Sequence, residues 1–332
     1  MTIQDVADKA QVSKATVSRV INGRPGVKEE IRSRVKAVIQ ELGWKPSSGL
    51  WASSKIPSGF IGVVMENLSH PLYRDIINGI SATLAEAGMQ PVFFRSANSP
   101  AVREKGLEYF ASGIVDGLIL MESDLLGMEG IAKAMQNITF PVVFLEDDKQ
   151  NAPSVAVDNL AVGKQAGAYL ASLGHQRIGH ITGNYNFAVS RSRYLGFVQA
   201  LMEAGLETDE KYVAYGDFSW ESGYACMKQL MELPERPTAV YASSDAMAYG
   251  AWKYAEENGI RVPEDLSLVG TDGVAPDYAR KPVLTTIVQP AEEMGRQAAL
   301  LLLERIRDRS GEIRHVRLDC TLHEGSSCAP RK

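Results

Sequence analysis

The residues with the clearest potential for chemistry lie on one face of a short predicted helix near the N terminus. In residues 6–23 the apolar side chains face inward, and the outward set is Lys14, Ala15, Thr16, Ser18 and Arg19. An arginine can bind guanine O6 and N7 in a bidentate fashion, which discriminates between bases by about 1 to 3 kcal/mol. Thr16, Ser18 and Asn22 suit contacts with phosphate. We therefore predict a helix that reads the major groove of DNA with Lys14 and Arg19 foremost.

A second set of candidates lies where predicted strands end. Glu146 ends the run PVVFLE, Phe218 follows YVAYGD, and Asp272 closes LSLVGTD. Ligands of doubly wound α/β domains bind at the carboxyl ends of the strands. A sugar needs planar hydrogen-bonding groups for its neighbouring hydroxyls and an aromatic face for its C–H surface. These positions therefore predict a site for a small polar ligand.

The elements that carry the first set are three short amphipathic helices. Apolar residues recur at helical spacing on one face of each segment. These faces comprise Ile3, Val6, Ala7 and Ala10; Val17, Val20 and Ile21; and Ile31, Val35, Val38, Ile39 and Leu42. Ser13 is a suitable N-cap for the second helix, and Gln11 and Val12 form the tight turn before it. The three patterns predict a helix-turn-helix headpiece over residues 1–45.

From Phe60 onward, apolar strand runs alternate with helical patterns, after a linker over residues 46–59 that is rich in serine, glycine and proline. Such alternation indicates parallel sheets with helices on both faces. The runs predicted as strands are residues 60–65, 91–96, 117–122, 141–146, 177–183, 212–217, 238–244 and 266–272. Residues 60–332 are long enough for two such lobes, so we predict an α/β, doubly wound core.

The distribution of charge along the chain indicates which part could bind nucleic acid. The chain has 332 residues and a formal net charge of -5, yet residues 1–58 carry six lysines and four arginines against five acidic residues. A basic head on an acidic body favours phosphate binding by the head alone.

The three cysteines have no CxxC spacing, and no stretch reaches the roughly 18 apolar residues of a membrane span. Nucleotide-binding, metalloprotease and hydrolase motifs are absent, so we expect a cytoplasmic protein that is not an enzyme and uses no metal or cofactor.

The string VSKATVSRVING, followed by a third helix and LGWKP, resembles the lactose/galactose repressor family. The resemblance continues through IGVV, GHQRIGHITG, SDAMAYGA, VPEDLSLVG and LTTI, and so covers nearly the whole chain. It implies a headpiece, a hinge, and a core similar to periplasmic sugar-binding proteins. It also implies a homodimer whose two headpieces bind a pseudo-palindromic operator and whose affinity for DNA is changed by a small effector.

The resemblance further implies roles in effector binding. It places the family's ligand-binding arginine at Arg193 and its ligand-pairing acid at Asp272. The other positions that it implicates are His70, Leu72, Tyr73, Glu146, Phe218, Ser244 and Asp245. A sugar or sugar derivative is the favoured effector, and a purine or nucleoside is the alternative.

Ordinary structural roles compete with these assignments. Asp245 could instead cap a helix that begins at Ala246. Arg193 could form an ion pair between the lobes, and Asp272 could be a turn residue. The histidines, such as His180, fit structural or exposed positions better than metal sites, because no carboxylate or cysteine stands at ligand spacing.

The hinge and Lys28 depart from the family pattern. The family hinge inserts a leucine into the minor groove, and alignment from Pro46 puts Ser53 at that position, where it cannot unstack bases. Either Leu50 or Trp51 replaces the leucine, or the hinge stays disordered and affinity for the operator is weaker. Operator bending by a Trp51→Ala variant separates the hypotheses, because lost bending excludes the disordered hinge. Lys28 replaces a common serine or threonine cap and adds a possible phosphate contact.

The rival hypothesis is a cytosolic sugar-binding protein or enzyme whose N-terminal helices do not bind DNA and serve only to dimerise. In the favoured hypothesis, ligand in the cleft selects one orientation of the lobes, and the two headpieces then match or miss the half-sites. Specific binding to duplex DNA separates the two hypotheses.

Overall fold

The structure is a computed structural model that describes residues 3–21, 26–42, 57–65, 71–96, 99–121, 135–146, 152–274 and 283–331. Asn22, Leu50, Trp51 and His70, all predicted site residues, lie outside these ranges, as does the hinge position Ser53. No helix in the described ranges combines the length and the apolar character needed to cross a bilayer.

Three helices form the N-terminal part of the chain: α1 (Ile3–Lys9), α2 (Lys14–Ile21) and α3 (Glu29–Leu42). α2 begins after Ser13, whose hydroxyl accepts the backbone N–H of Thr16 at 3.1 Å. Gln11, in the turn before it, has a left-handed backbone with φ of 51°. The predicted helices and the predicted cap at Ser13 are therefore confirmed.

The three helices share a small apolar core. Its buried members are Val6, Ala7, Ala10, Val17, Val20, Val35 and Val38. The remaining residues of the predicted inward faces, among them Ile31 and Leu42, pack against this core and are half-buried. Burial of one face of each helix stabilises a unit this small and turns the opposite faces to solvent.

The first lobe contains one six-stranded sheet in the order β11-β5-β4-β3-β1-β2, and all its described pairings are parallel. The strands are β1 (Phe60–Met65), β2 (Gln90–Arg95), β3 (Gly117–Met121), β4 (Val142–Leu145), β5 (Ser154–Val157) and β11 (His315–Leu318). Its helices are α4 (Pro71–Glu86), α5 (Pro100–Ala111) and α10 (Ala291–Arg307). Val63 faces the core beneath α4 and α10, and its neighbour Val64 faces the core beneath α5, so helices cover both faces.

The second lobe repeats this plan with the order β12-β10-β9-β8-β6-β7. Its strands are β6 (Ile178–Thr182), β7 (Val213–Tyr215), β8 (Ala239–Ala242), β9 (Ser267–Asp272), β10 (Thr285–Val288) and β12 (Thr321–His323). Its helices are α6 (Asn159–Ser172), α7 (Ala188–Glu203), α8 (Trp220–Met231) and α9 (Asp245–Glu257). Only β12, paired with β10, runs antiparallel among the pairings described.

The chain passes between the lobes three times, from β5 to α6, from β10 to α10, and from β11 to β12. Each of the eight runs predicted as strands overlaps a strand of the structure, and the predicted parallel, doubly wound α/β class is confirmed. The strands β5, β10, β11 and β12 were not predicted. They have three or four residues each, and β11 and β12 include exposed polar residues that interrupt an apolar run.

Candidate functional site

The outer face of α2 is open to solvent in the way that the sequence predicts. Lys14, Ala15 and Arg19 are exposed, and Thr16 and Ser18 are half-buried. Val17 and Val20, on the opposite face, are buried in the three-helix core. The helix α2 therefore exposes the cations Lys14 and Arg19 together with small side chains, while its opposite face is packed in the three-helix core.

The first turn of α2 is additionally ordered by side chains. The hydroxyl oxygens of Ser13 and Thr16 lie 2.9 Å apart in a hydrogen bond. Lys28, the predicted additional phosphate contact, is exposed and directly precedes α3. The candidate DNA-binding surface thus consists, in the described residues, of the exposed face of α2 and the start of α3.

The candidate effector site lies at the carboxyl ends of the strands. Parallel pairing brings Asp272, at the end of β9, level with Val288 at the end of β10. Among the described residues, the non-glycine positions with positive φ are Gln11, Glu146 (67°), Phe218 (70°) and Asp272 (130°). The last three follow or end β4, β7 and β9, and all three were predicted to contact the effector. Strained backbone of this kind persists where the surrounding structure holds it and clusters at binding sites.

Arg193 is buried in α7 and held in a defined direction. Its Nε donates to Oδ1 of Asn159 at 2.8 Å, and its Nη1 donates to the backbone oxygen of Ser243 at 2.6 Å. Among the described residues it has no ion pair with an acidic side chain, so the structure does not support an ion pair between the lobes at this position. The guanidinium therefore joins the start of α6 to the end of β8.

Two glycines allow α6 and α7 to approach closely enough for this contact. A Cβ atom at Gly163 would lie 1.9 Å from the backbone oxygen of Arg193, and one at Gly196 would lie 1.9 Å from that of Leu160. Any larger residue would force the helices apart. The placement of Arg193 thus depends on backbone contact between α6 and α7.

Asp272 is buried, with 3% of its surface exposed, and is fixed by Gln289. Its Oδ1 accepts the side-chain amide of Gln289 at 2.7 Å, and its backbone oxygen accepts the Gln289 N–H at 3.1 Å. Asp272 is therefore a buried, hydrogen-bonded residue at the end of a strand and not a turn residue. Gln289 was not predicted, because it follows β10, a strand that was itself not predicted.

The expectation that Asp245 could cap a helix is wrong. The N-cap of α9 is Ser244, whose hydroxyl accepts the N–H of Met247 at 3.2 Å, and Asp245 is the first residue of the helix. Asp245 is 1% exposed, and its carboxylate instead binds the backbone after Asp272. Burial, together with the negative charge of Asp272, raises the pKa of Asp245. Ser244 is likewise 1% exposed.

Aromatic rings lie beside these polar groups. The rings of Phe187 and Phe218 are nearly parallel, with centroids 6.5 Å apart and an angle of 14° between their planes. Both residues are half-buried, and the Phe218 ring packs against Gly183, where a Cβ atom would lie 2.1 Å away. Phe187 was not predicted, because it precedes a helix in a loop without a distinctive motif.

The first-lobe candidates differ in accessibility. Tyr73 is half-buried and packs against the core of the first lobe. Leu72 is 3% exposed, and its side chain belongs to that core, so it has little surface to offer a ligand. Glu146 is half-buried, and its backbone N–H donates to the oxygen of Val155 at 2.8 Å.

His180 is a buried structural histidine next to the Arg193 site. Its ring stacks on Phe197 with centroids 5.0 Å apart and lies 4.8 Å from Tyr241, and its Nε2 is hydrogen-bonded to the hydroxyl of Ser243 at 3.3 Å. Burial, assisted by the positive charge of Arg193, lowers the pKa of His180 to about 3. The predicted structural role is confirmed, and no cluster of potential metal ligands exists in the described residues.

Acidification is therefore expected to destabilise the protein through His180. The folded state stays unprotonated, whereas the unfolded chain takes up a proton as the pH falls below the ordinary value of 6.5. The contribution of His180 to the free energy of unfolding is therefore present above pH 6.5 and is lost progressively below it. Between pH 7.5 and pH 5.5 the loss is about 1.4 kcal/mol. Urea unfolding at the two pH values measures the loss.

The variant His180→Phe keeps a ring between Phe197 and Tyr241 but cannot titrate. We expect its free energy of unfolding to fall by about 1.4 kcal/mol less over this range than that of the wild type. His323→Gln, at an exposed position on β12, is the control and is expected to behave as the wild type. Equal pH dependence in His180→Phe and the wild type would contradict the assignment.

Two family models match the chain. The one described as bacterial regulatory proteins, lacI family, matches residues 2–47, which include the three helices α1 to α3. The one described as a periplasmic binding protein-like domain matches residues 168–328, which include the second lobe's sheet. The DNA-binding head and the ligand-binding type of core are thus each identified separately.

Full-length relatives share both parts. The HTH-type transcriptional repressor CytR of Escherichia coli (strain K12) is 35% identical over 97% of this chain and 94% of its own length. The HTH-type transcriptional repressor PurR of Pectobacterium carotovorum is also 35% identical, over 99% of this chain and 97% of its own.

Solved structures give the same result. A complex of the transcriptional regulator CelR with cellobiose matches with a TM-score of 0.74 and 32% identity, over 98% of this chain and 99% of that one. The lac repressor dimer bound to operator and an anti-inducer matches with a TM-score of 0.73 and 26% identity, over 99% of both chains. The chain therefore belongs to the lacI family of bacterial regulatory proteins, with a helix-turn-helix DNA-binding head and an effector-binding core.

Proposed function

We propose that this protein is a cytoplasmic, non-enzymatic repressor that binds a pseudo-palindromic operator as a homodimer, with residues 1–45 as headpiece, 46–59 as hinge and 60–332 as core. The single observation that carries the proposal is the face of α2: Lys14, Ala15 and Arg19 are exposed on a helix whose other side is fixed in a core. A recognition helix needs this combination of a rigid base and short or basic outward residues. Thr16, Ser18, Asn22 and Lys28 supply contacts with phosphate in this proposal.

The dimer follows from the length of the recognition surface. One α2 helix of eight residues can contact only a few base pairs, so two copies are needed for a specific site. The related lac repressor binds its operator as a dimer. A two-fold axis in the protein would make the operator pseudo-palindromic, with half-sites about one helical turn or a multiple of it apart.

We further propose that the effector is a sugar or sugar derivative, bound at the carboxyl ends of the strands. Arg193 and Asp272 supply charged, planar hydrogen-bonding groups, and Phe218 supplies an aromatic face. Among the described residues, the Nη2 group of Arg193 makes no protein hydrogen bond and remains for a ligand. Structural neighbours are complexes with cellobiose and, for a regulator from Enterococcus faecium that is 28% identical, with ribose.

A purine or nucleoside is the second candidate class. The observation that favours it is the nearly parallel pair Phe187 and Phe218, because the faces of a planar base stack on aromatic rings. A nucleoside would also offer ribose hydroxyls to Arg193 and Asp272. The two classes differ in whether a free sugar suffices for binding.

A mobility-shift assay tests the DNA-binding function. The full chain is mixed with duplex fragments from upstream of its own gene at 50 and 150 mM salt, with excess unrelated duplex as competitor. We expect a specific complex that survives the competitor, because specific sites bind about 10³-fold or more tightly than random DNA. Binding that is absent at both salt concentrations, or equal for all duplexes, would favour the rival sugar-binding protein whose helices only dimerise.

A thermal-shift screen tests the effector class. The panel comprises D-ribose, cellobiose, other mono- and disaccharides, adenine and adenosine. A ligand at 100 times its dissociation constant adds about 2.7 kcal/mol to stability and so gives a clear rise in Tm. A rise with a sugar alone supports the sugar proposal, and a rise only with adenine or adenosine supports the second class. Addition of the same compound to the mobility-shift assay then gives the sign of the switch, since release marks an inducer and tighter binding a corepressor.

A further inference from the structure

Asp245 is a buried acid that neither caps its helix nor faces solvent. Both of its carboxylate oxygens accept hydrogen bonds from protein groups. Oδ2 accepts the backbone N–H groups of Gly273 at 2.8 Å and Val274 at 2.7 Å, and Oδ1 accepts the hydroxyl of Thr286 at 2.6 Å. One side chain from the first turn of α9 thus joins the end of β9 to β10.

These bonds converge on the backbone directly after Asp272. Asp272 has φ of 130° and Gly273 has φ of 81°. A non-glycine residue in this region is strained and keeps the conformation only when its surroundings enforce it. Two consecutive N–H groups bound to one carboxylate oxygen fix the direction in which the chain leaves Asp272.

The space for the Asp245 carboxylate is built into the sheet. A Cβ atom at Gly270, on β9, would lie 2.2 Å from Oδ1 of Asp245. Gly270 is paired in register with Thr286 on β10, the residue that donates to the same oxygen. The strand β9 therefore lacks a side chain at the point where the carboxylate enters.

We propose that Asp245 is a positioning residue for effector binding: it anchors the backbone N–H groups of Gly273 and Val274 and so holds the Asp272 carboxylate in its binding direction, without touching the effector. This inference rests on the proposed function, in which Asp272 binds the effector. The anchoring itself is a statement about the protein alone and can be measured without any ligand.

The proposed anchoring depends on the hydrogen bonds of the residue at position 245 and not on its charge. An asparagine at position 245 has the same shape, because its amide oxygen can accept the two backbone N–H groups and its NH₂ group can donate to the Thr286 hydroxyl. An alanine can do neither and leaves two backbone donors without their acceptor. Asp245→Asn is therefore expected to retain the anchoring, and Asp245→Ala to lose it.

Hydrogen–deuterium exchange of the full chain gives the direct readout. In Asp245→Ala we expect the amides of Gly273 and Val274 to exchange at least tenfold faster than in the wild type, and in Asp245→Asn within about threefold. Asp245→Ser provides the same readout if the alanine variant does not fold. Thr286→Val removes one bond to Asp245 without touching the backbone, so these two amides should keep their protection. Asp308→Ala, which removes an acid that accepts the Ser310 N–H at 2.9 Å in the first lobe, is the matched control.

Calorimetric titration with D-ribose, cellobiose and adenosine gives the second readout. For each probe that binds the wild type, we expect Asp245→Ala to weaken binding at least 30-fold and Asp245→Asn to weaken it less than fivefold. Unchanged protection of Gly273 and Val274 in Asp245→Ala would overturn the proposal. Equal loss of binding in both variants with the amides still protected would also overturn it, because Asp245 would then contact the ligand. If no probe binds the wild type and the amides respond as expected, the effector class fails while the anchoring stands.

Discussion

The substitution Arg193→Ala is expected to abolish most of the rise in Tm that the effector produces. Arg193 is 3% exposed, and its guanidinium donates to Asn159 and to the backbone oxygen of Ser243. Truncation of one partner of a buried, charged hydrogen-bonded contact costs about 2 to 5 kcal/mol of binding, which is roughly 30-fold or more in affinity. At an effector concentration that adds about 2.7 kcal/mol to the wild type, the variant should gain less than about 1 kcal/mol.

The ligand-induced change is the quantity to compare, because removal of Arg193 also alters the stability of the unliganded protein. Arg177→Ala is a matched control: its Nε donates to a backbone oxygen, that of Arg236, at 3.0 Å, but it lies before the amino end of β6, away from the site. The control should respond to the effector as the wild type does. A full thermal response in Arg193→Ala would remove this residue from the binding site.

The substitution Arg19→Ala is expected to weaken operator binding by about 30-fold or more, because the dimer loses two bidentate contacts with guanine, each worth about 1 to 3 kcal/mol. Arg19 is exposed on α2, one turn after its first residues, where a recognition helix meets base edges. If Arg19 reads a base and does not merely neutralise phosphate, the Arg19→Ala protein should also lose its base preference at one position of each half-site. The operator for this test is selected by the wild type from a pool of random duplexes.

Arg34→Ala provides the matched control for Arg19→Ala. Arg34 has the same charge and is exposed in the same head, but it lies on α3. We expect it to change specific affinity less than threefold and to leave the base preference intact. The account of α2 would be contradicted if both arginines reduced binding equally for operator and random duplex, since that pattern indicates general attraction to phosphate.

The sequence predicts the three helices because their apolar residues repeat with the helical period, and it predicts eight of the strands because each coincides with an apolar run. Val17 and Val20 on α2 and the run at 60–65 are examples. The strand β11 (His315–Leu318) escapes prediction because it is not an apolar run: two of its four residues, His315 and Arg317, are polar and exposed. Its place at the edge of the first sheet is set by pairing with β5, which is a contact distant in sequence.

The candidate site is predictable only where a side chain follows a recognisable strand or motif. Asp272 and Arg193 were found in this way. Their partners Asn159, Ser243 and Gln289 were not, because each reaches the site through tertiary contacts with residues 17 to 50 positions away. The role of Asp245 was misjudged for a related reason. A local capping rule suggested a contact within its own helix, whereas its carboxylate binds the backbone that follows β9.

Protection of guanine N7 from dimethyl sulfate is the most direct test of the central claim, because N7 lies in the major groove. With the selected operator, we predict that the wild-type protein protects guanines in two half-sites related by a dyad. Arg19→Ala should lose protection at one guanine of each half-site while the others stay protected. Binding without any protection of N7, or identical protection by the wild type and Arg19→Ala, would contradict the claim that α2 reads the operator through Arg19.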